Sequence, residues 1–338
     1  MDKDKKVSIG IFIGLISILI VVLIINALNI KEYSKGYYEY MDTYIEVSLY
    51  VSSESKAERA FKGIEDILKT YDELTNKYVA ADYGLYNLNH GSNTIDYRLY
   101  KIIEQGYLWY EKSDGLFNIA IGNVTDIWKK YREKGEGVPT LSELKSVSIS
   151  MNDVLINETK SQIEDKKIEG SVVLSNGVTL DLGAIAKGYT TELIGKYLDG
   201  TGVHKYIINA GGNVLVGDYY KLGKYKIGIQ NPLGEGTFKV IKGENIAVVT
   251  SGSYQRNYTY NGVTYNHIIN PNTLYPADNM LSVTVIAKSS SDADALSTIL
   301  FLMDVDSGKE FIKNYDAEAI WYLKDGTVLT TEGISKYE

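Results

Sequence analysis

From Val7 to Ile30 the chain runs for roughly 24 residues without a charged side chain. At 1.5 Å rise per residue a helix of that length covers about 36 Å, more than the ~30 Å hydrocarbon core of a bilayer. The stretch has no polar face and stands at the very terminus, which fits a buried core helix poorly. Lys3, Lys5 and Lys6 precede it, and this positive flank keeps the short terminus, residues 1–6, in the cytoplasm and sends the rest outside. A cleaved secretory signal is the rival reading. Its apolar stretch is shorter, about 7–15 residues, and ends in a small-x-small site, which Ile24-Ile25-Asn26-Ala27-Leu28 does not supply. The expectation is a single-pass cell-membrane protein, with an uncleaved anchor over 7–30 and an extracytoplasmic domain over 36–338.

The 338 residues are 44% hydrophobic and 23% charged with four prolines, which excludes disordered and low-complexity classes and leaves ample length for a core. The net charge is −8, so duplex nucleic acid is not an expected partner. Any phosphate held against such a field has to meet a local cation, a metal ion or backbone N–H groups. There are no cysteines, which removes disulfides, thiolate zinc sites, iron–sulfur clusters and a Cys nucleophile. With only His90, His204 and His267, the expected metal is a hard cation held by oxygen, and magnesium fits best.

Beyond the anchor, Ile45, Val47, Leu49 and Val51 alternate with polar residues and Tyr50 as a half-buried strand does. Ala57, Ala60, Phe61, Ile64, Ile67, Leu68 and Tyr71 recur at helical spacing, with Ser55-x-x-Glu58 as a capping box. A second helix is expected from Thr94, as cap, to Ser113-Asp114-Gly115, and a third from Ala184 to Leu198. Short strand-like runs fill 151–179. Several β-candidates follow over 203–286, among them a hairpin turned by Asn261-Gly262. A further helix is expected from Asp292 to Met303, and Asp325-Gly326 turns a last hairpin. Strands and helices come in runs rather than strict alternation, which argues an α+β fold.

Three segments carry chemistry. Asp181-Leu182-Gly183-Ala184-Ile185-Ala186-Lys187-Gly188 lies where a strand gives way to a helix. Small residues and a helix N-terminus with Lys187 in its first turn suit a phosphate, although a Gly-eased turn with a solvated Lys187 fits as well. Thr250-Ser251-Gly252-Ser253-Tyr254-Gln255-Arg256 and His267-Ile268-Ile269-Asn270-Pro271 flank the hairpin. There His267 is the candidate general base, a structural histidine being the alternative. Ser251 or Ser253 as a hydrolase nucleophile lacks a recognisable Ser-x-x-Lys partner. In Ser291-Asp292-Ala293-Asp294-Ala295-Leu296-Ser297-Thr298, Asp294 and Thr298 share one helix face and suit magnesium, while Asp292 or Asp294 acting only as a helix cap is the plainer reading.

In this order and spacing the segments resemble the ApbE family, the FAD:protein FMN transferases, over essentially all of 36–338. The family pattern runs Asp-Leu-Gly-Gly/Ala-Ile-Ala-Lys-Gly, Ile-Asn-Ala-Gly-Gly-Asp, Thr-Ser-Gly-x-Tyr-x-Arg, His-Ile-Ile-Asp-Pro and Ala-Asp-Ala-Leu-Ser-Thr. The second of these is matched by Ile208-Asn209-Ala210-Gly211-Gly212-Asn213. Met41-Asp42-Thr43 resembles the family's Met-Gly-Thr, and Gly115-Leu116-Phe117-Asn118 its Gly-Ala-Phe-Asp.

The resemblance implies a single ApbE-like domain of mixed and antiparallel sheets with flanking helices. It implies magnesium held by the Ala184 carbonyl with Asp294 and Thr298, and His267 as catalytic base. Met41, Tyr78, Leu116, Phe117, Asn118, Asp181, Lys187 and Ile268 would line the site for FAD, the donor substrate. The implied reaction moves FMN from FAD, through a phosphoester, onto a Thr or Ser of an extracytoplasmic acceptor flavoprotein of the redox-complex type, releasing AMP. Asn118, Asn213 and Asn270 stand where the pattern has Asp, and Asp42 where it has Gly. An Asp-x-x-Ser/Thr-Gly-Ala-Thr acceptor sequence is absent from the chain, so the target is another protein. Magnesium-dependent FAD pyrophosphatase activity and non-catalytic flavin binding are the alternatives.

Overall fold

The computed structural model describes residues 30–157, 161–163, 166–168 and 171–338, together with Phe12, Leu15 and Ile16. The expected anchor over 7–30 therefore lies almost wholly outside the described residues. Phe12, Leu15 and Ile16 are helical and exposed, and no helix among the described residues is long and apolar enough to cross a membrane.

Strands β1 (Lys31–Tyr37) and β2 (Ile45–Val51) form an antiparallel pair. The alternation in the sequence identifies β2. In contrast, β1 is an edge strand whose side chains are mostly solvated, so it carries no apolar period, and it begins the sheet ahead of residue 36. Helix α1 (Glu54–Thr75) buries the expected stripe, but its cap is Ser53, whose hydroxyl accepts the Lys56 N–H. The expected capping box is not formed, because Ser55 Oγ accepts from Arg59 at 2.7 Å instead. After α2 (Leu85–Asn89), helix α3 (Tyr97–Lys112) is capped by Asp96 and not by Thr94, which makes an isolated bridge to Ser171. Two helices follow that the sequence reading did not place, α4 (Gly122–Lys134) and α5 (Leu141–Leu144).

Strands β3 (Val154–Asn157) and β6 (Ser171–Leu174) pair around a smaller pair, β4 (Ser161–Ile163) and β5 (Lys166–Ile168). Helix α6 (Ala186–Gly200) leads to β7 (Tyr206–Ala210) and β8 (Asn213–Val216), then to the ribbon β9 (Tyr225–Gln230) and β10 (Thr237–Gly243) and to β11 (Ile246–Gly252). The hairpin β12 (Asn257–Tyr260) and β13 (Val263–Asn266) is the expected one, with Asn261 and Gly262 both at positive φ as a type I′ turn demands. The chain ends through β14 (Met280–Ala287), α7 (Ser290–Leu302), α8 (Val305–Ile312), β15 (Ala317–Leu323) and β16 (Val328–Thr330).

Eight strands form one antiparallel sheet in the order β1-β2-β7-β8-β11-β14-β15-β16. Its two faces enter different cores, as the period of two requires. Val47, Leu49, Val249, Val285 and Trp321 pack with α1, α3, α6 and α7. Tyr50, Val248, Ile286 and Ile320, one residue out of phase, pack under the β9–β10 ribbon. A third cluster joins α4 and α5 to the β12–β13 hairpin through Trp128, Leu144, Tyr258 and Ile269.

The register gives the sheet two distinct ends. Pairings of Ile45 with Ala210, Asn213 with Val249 and Gly252 with Ser282 gather the β1–β2 turn, Gly211-Gly212 and Ser251 at one end. Pairings of Lys31 with Val51 and Val216 with Ile246 place the start of β1 and the β8–β9 loop at the other.

Candidate active site

At the first of these ends a cavity of about 810 Å³ opens between the sheet, the starts of α4 and α6, α7, and the segments that lead into and out of the hairpin. All twelve residues singled out from the sequence line it: Met41, Tyr78, Leu116, Phe117, Asn118, Asp181, Ala184, Lys187, His267, Ile268, Asp294 and Thr298. They come from six separate stretches of chain, so tertiary packing alone brings them together.

Each is held by an identifiable local device. Met41 and Asp42 both sit at positive φ in the β1–β2 turn, pinned by a 2.7 Å hydrogen bond from the Met41 N–H to Asp72 Oδ1. Facing them, Gly211 has φ +58° and lies so close to Thr43 that a Cβ would fall 2.0 Å from its Oγ1, so the β7–β8 turn requires glycine there. The segment leading to α6 is fixed by Asn89, which accepts the Leu180 N–H and donates to the Leu180 carbonyl, and by the Asp181 N–H donating to the Ile119 carbonyl.

Asp294 and Thr298 lie one turn apart on α7, whose cap is Ser289 rather than either candidate aspartate. Asp294 is buried, and its Oδ2 accepts the Gly188 N–H at 2.7 Å. Burial raises its carboxyl above the ordinary range, and Lys187 and the Gly188 N–H offset this only in part. Thr298 Oγ1 lies 3.4 Å from Ser251 Oγ, which also meets Ser297 Oγ at 2.8 Å. Ser251 is thus paired with hydroxyls and not with a base, and Ser253 donates to the Leu281 carbonyl; neither has the partner a hydrolase nucleophile needs. No cluster of three or more His, Asp or Glu occurs among the described residues. A carboxylate, a hydroxyl and the Ala184 carbonyl are nevertheless all hard oxygen donors, and an under-neutralised buried carboxylate fits a magnesium ion.

The His267 imidazole is largely enclosed. Burial, reinforced by Lys187, Arg256 and Arg132, lowers its pKa to about 4, against the effect of a backbone hydrogen bond with Arg256. The ring is therefore neutral at pH 7, and its buried Nδ1 has no hydrogen-bond partner among the described residues.

Sequence reasoning missed a half-buried ionic knot at the cavity wall. Lys77, its side chain only 7% exposed, reaches Asp126 Oδ1 at 2.9 Å and Asp181 Oδ2 at 3.2 Å, and donates to the Gly122 carbonyl and Thr125 Oγ1. Burial alone would raise the Asp181 carboxyl. Lys77, the Gly183 N–H and Thr125 together hold it below its ordinary value. Tyr78 donates to Asp126 Oδ1 at 3.0 Å, and Lys129 Nζ sits 3.4 Å from its ring centroid. The helical spacing of Val124, Ile127, Trp128 and Tyr131 places Asp126 on α4, but nothing in it pairs Asp126 with Lys77. The acidic chain thus gathers Lys77, Lys129, Arg132, Lys187 and Arg256 around one cavity.

The model of the ApbE family matches residues 41–321. The chain belongs to the ApbE family. An FAD:protein FMN transferase of Klebsiella pneumoniae is 30% identical over 301 residues, covering 86% of this chain and 89% of the relative. One of Treponema pallidum is 29% identical over 253 residues, covering 71% and 69%. Among solved structures, the ApbE protein of Thermotoga maritima matches with a TM-score of 0.79 at 26% identity, over 91% of this chain and 99% of that one. The flavin transferase ApbE of Vibrio cholerae shares the fold, with a TM-score of 0.74 at 19% identity over 91% and 100% of the two chains.

Asn118, Asn270 and Asn213, expected from the resemblance to stand in place of aspartates, have distinct physical settings in this ApbE chain. Asn118 Nδ2 donates to the Ile149 carbonyl at 2.9 Å, a bond no carboxylate could make, while its Oδ1 accepts the Ala120 N–H. Asn270 closes a local turn by accepting the Asn272 N–H, and does not line the cavity. Asn213 Oδ1 accepts from Ser290 Oγ at 2.8 Å, whereas its buried Nδ2 is unpartnered among the described residues.

Proposed function

We propose that this chain is an FAD:protein FMN transferase that moves the FMN part of FAD onto a Thr or Ser hydroxyl of an acceptor flavoprotein, as a phosphoester, with release of AMP. The observation that carries the reading is the convergence of all twelve candidate residues on one cavity. Its volume, about 810 Å³, lies in the range of sites for large organic ligands.

In this reading Met41, Tyr78, Leu116, Phe117, Asn118, Asp181, Lys187 and Ile268 hold FAD, and Lys187 supplies the local cation an acidic protein needs for a pyrophosphate. Asp294, Thr298 and the Ala184 carbonyl hold Mg2+, which when bound neutralises phosphate charge. Neutral His267 takes the proton of the acceptor hydroxyl. The hydroxyl oxygen forms a bond to the phosphorus on the riboflavin side as the bond from that phosphorus to the AMP oxygen breaks. The Lys77 knot keeps Asp181 ionised and fixed below the ligand. The run Val7–Ile30 anchors the chain in the cell membrane as a single-pass segment, with the domain 36–338 and its acceptor outside the cytoplasm.

Chromatography of nucleotides from protein, FAD and Mg2+, with and without an acceptor domain, tests this reading. AMP release that requires the acceptor is expected. AMP and free FMN in equal amounts without it would instead establish a pyrophosphatase, and intact FAD in both cases a binding protein.

A further inference from the structure

The sheet end opposite the cavity carries a loop that the catalytic reading does not use. Between β8 and β9 the chain runs Gly217-Asp218-Tyr219-Tyr220-Lys221-Leu222-Gly223-Lys224. Leu222 at its tip is fully exposed, and Lys221 and Lys224 beside it are exposed as well. A single exposed leucine is ordinary; the mounting of this one is not. Tyr220 stacks on Tyr50 with ring centroids 4.0 Å apart and planes within 4°, and Tyr219 meets Tyr225 edge-on at 4.8 Å. Tyr225 Oη donates to the Asp218 carbonyl, and Asn245 Nδ2 to Asp218 Oδ1. A tyrosine base therefore presents an apolar tip that nothing among the described residues covers.

The loop lies beside the start of the described domain. Tyr50 pairs with Glu32 at the start of β1, and Ile30 packs against the same cluster as Tyr219 and Tyr220. The uncharged run Val7–Ile30 thus ends beside this loop. Lys226 and Lys242, register partners on the solvent side of the β9–β10 ribbon, extend the basic flank, while Asp218 and Glu244 lie at the base of the loop.

We propose that the β8–β9 loop is a membrane-docking surface, with Leu222 entering the bilayer interface and Lys221 and Lys224 meeting anionic lipid headgroups. The proposal rests on the anchor reading of Val7–Ile30. It sets the orientation of the domain: the seven residues of β1, at about 3.3 Å each, separate the docked end from the cavity by about 23 Å. The cavity then opens away from the lipid, and the acceptor hydroxyl is reached above the surface and not within it.

The absence of cysteine makes the test direct. The full chain is reconstituted into vesicles of phosphatidylcholine and phosphatidylglycerol with a nitroxide at Leu222→Cys or, as controls, at the exposed positions Leu155→Cys and Leu233→Cys. Collision rates with oxygen and with a water-soluble nickel chelate are then read. The expected result is a several-fold higher oxygen-to-nickel ratio at 222 than at either control, abolished by Lys221→Glu with Lys224→Glu. Vesicle-bound protein whose label at 222 stays as wet as the controls overturns the docking. A chain that does not float with the vesicles overturns the anchor reading first, and the docking with it.

Discussion

His267 is neutral because the fold makes its protonation costly, and two consequences follow. Its folded pKa of about 4 lies below the ordinary value of 6.5, so as pH falls the unfolded chain takes up the proton first. The stability linked to this residue is complete above about pH 6.5 and is lost progressively toward pH 4. Denaturant unfolding at a series of pH values should show this slope, and His267→Gln should flatten it. The acid limb of kcat/KM in the free enzyme should lie near pH 4, and His267→Gln should lower transfer by about 10²–10⁴-fold while FAD still binds. An acid limb near 6.5 would contradict the geometry. Asp294→Asn keeps an acceptor for the Gly188 N–H but removes a charge the fold holds at a cost. Without metal the variant should melt no lower than wild type. Magnesium should raise Tm for wild type and not for the variant, whose transfer rate should fall by about 10²-fold or more.

Helices α6 and α7 meet where Gly188 lies against Asp294, and a Cβ on Gly188 would stand 2.4 Å from the Asp294 Cβ and 2.7 Å from the Ser290 carbonyl. Gly188→Ala should therefore cost about 1–3 kcal/mol, read as a lower denaturant midpoint, and should displace Asp294 and weaken magnesium-dependent stabilisation in proportion. Unchanged midpoint and metal response would show that the helices can part without consequence. The element scale is also where the limits of the sequence show. Amphipathic β2, α1 and α3 and the Asn-Gly hairpin were legible because each has a period or a turn chemistry of its own. Strand β1 was not, because its pairing with β2 and not its own pattern makes it a strand. The caps at Ser53 and Asp96 replaced those expected at Ser55 and Thr94, since several polar residues at a helix start compete and tertiary packing chooses among them. Asp181, Lys187, His267, Asp294 and Thr298 lie in contiguous motifs whose chemistry suggested a site, whereas Tyr78 stands in no motif and came only through the family resemblance. Lys77 and Asp126 could not be read, because their partnership depends on α4 docking beside the end of α1.

At the scale of the whole molecule, the two proposed functions lie at opposite ends of one antiparallel sheet. The cavity end collects the turns of β1–β2 and β7–β8, the β11 serine and the α7 aspartate, while the opposite end holds the start of β1 and the tyrosine-mounted loop. In the proposed function, the cations gathered around the cavity of an otherwise acidic chain are what meet the phosphates of FAD. The most direct measurement is the intact mass of a Thr-containing acceptor domain after incubation with the full chain, FAD and Mg2+, beside the Asp294→Asn variant. The account predicts a mass gain of one FMN less one water on the acceptor, placed on a Thr or Ser by fragmentation, with the variant strongly impaired. An acceptor that keeps its mass while wild type converts FAD to free FMN and AMP would contradict it.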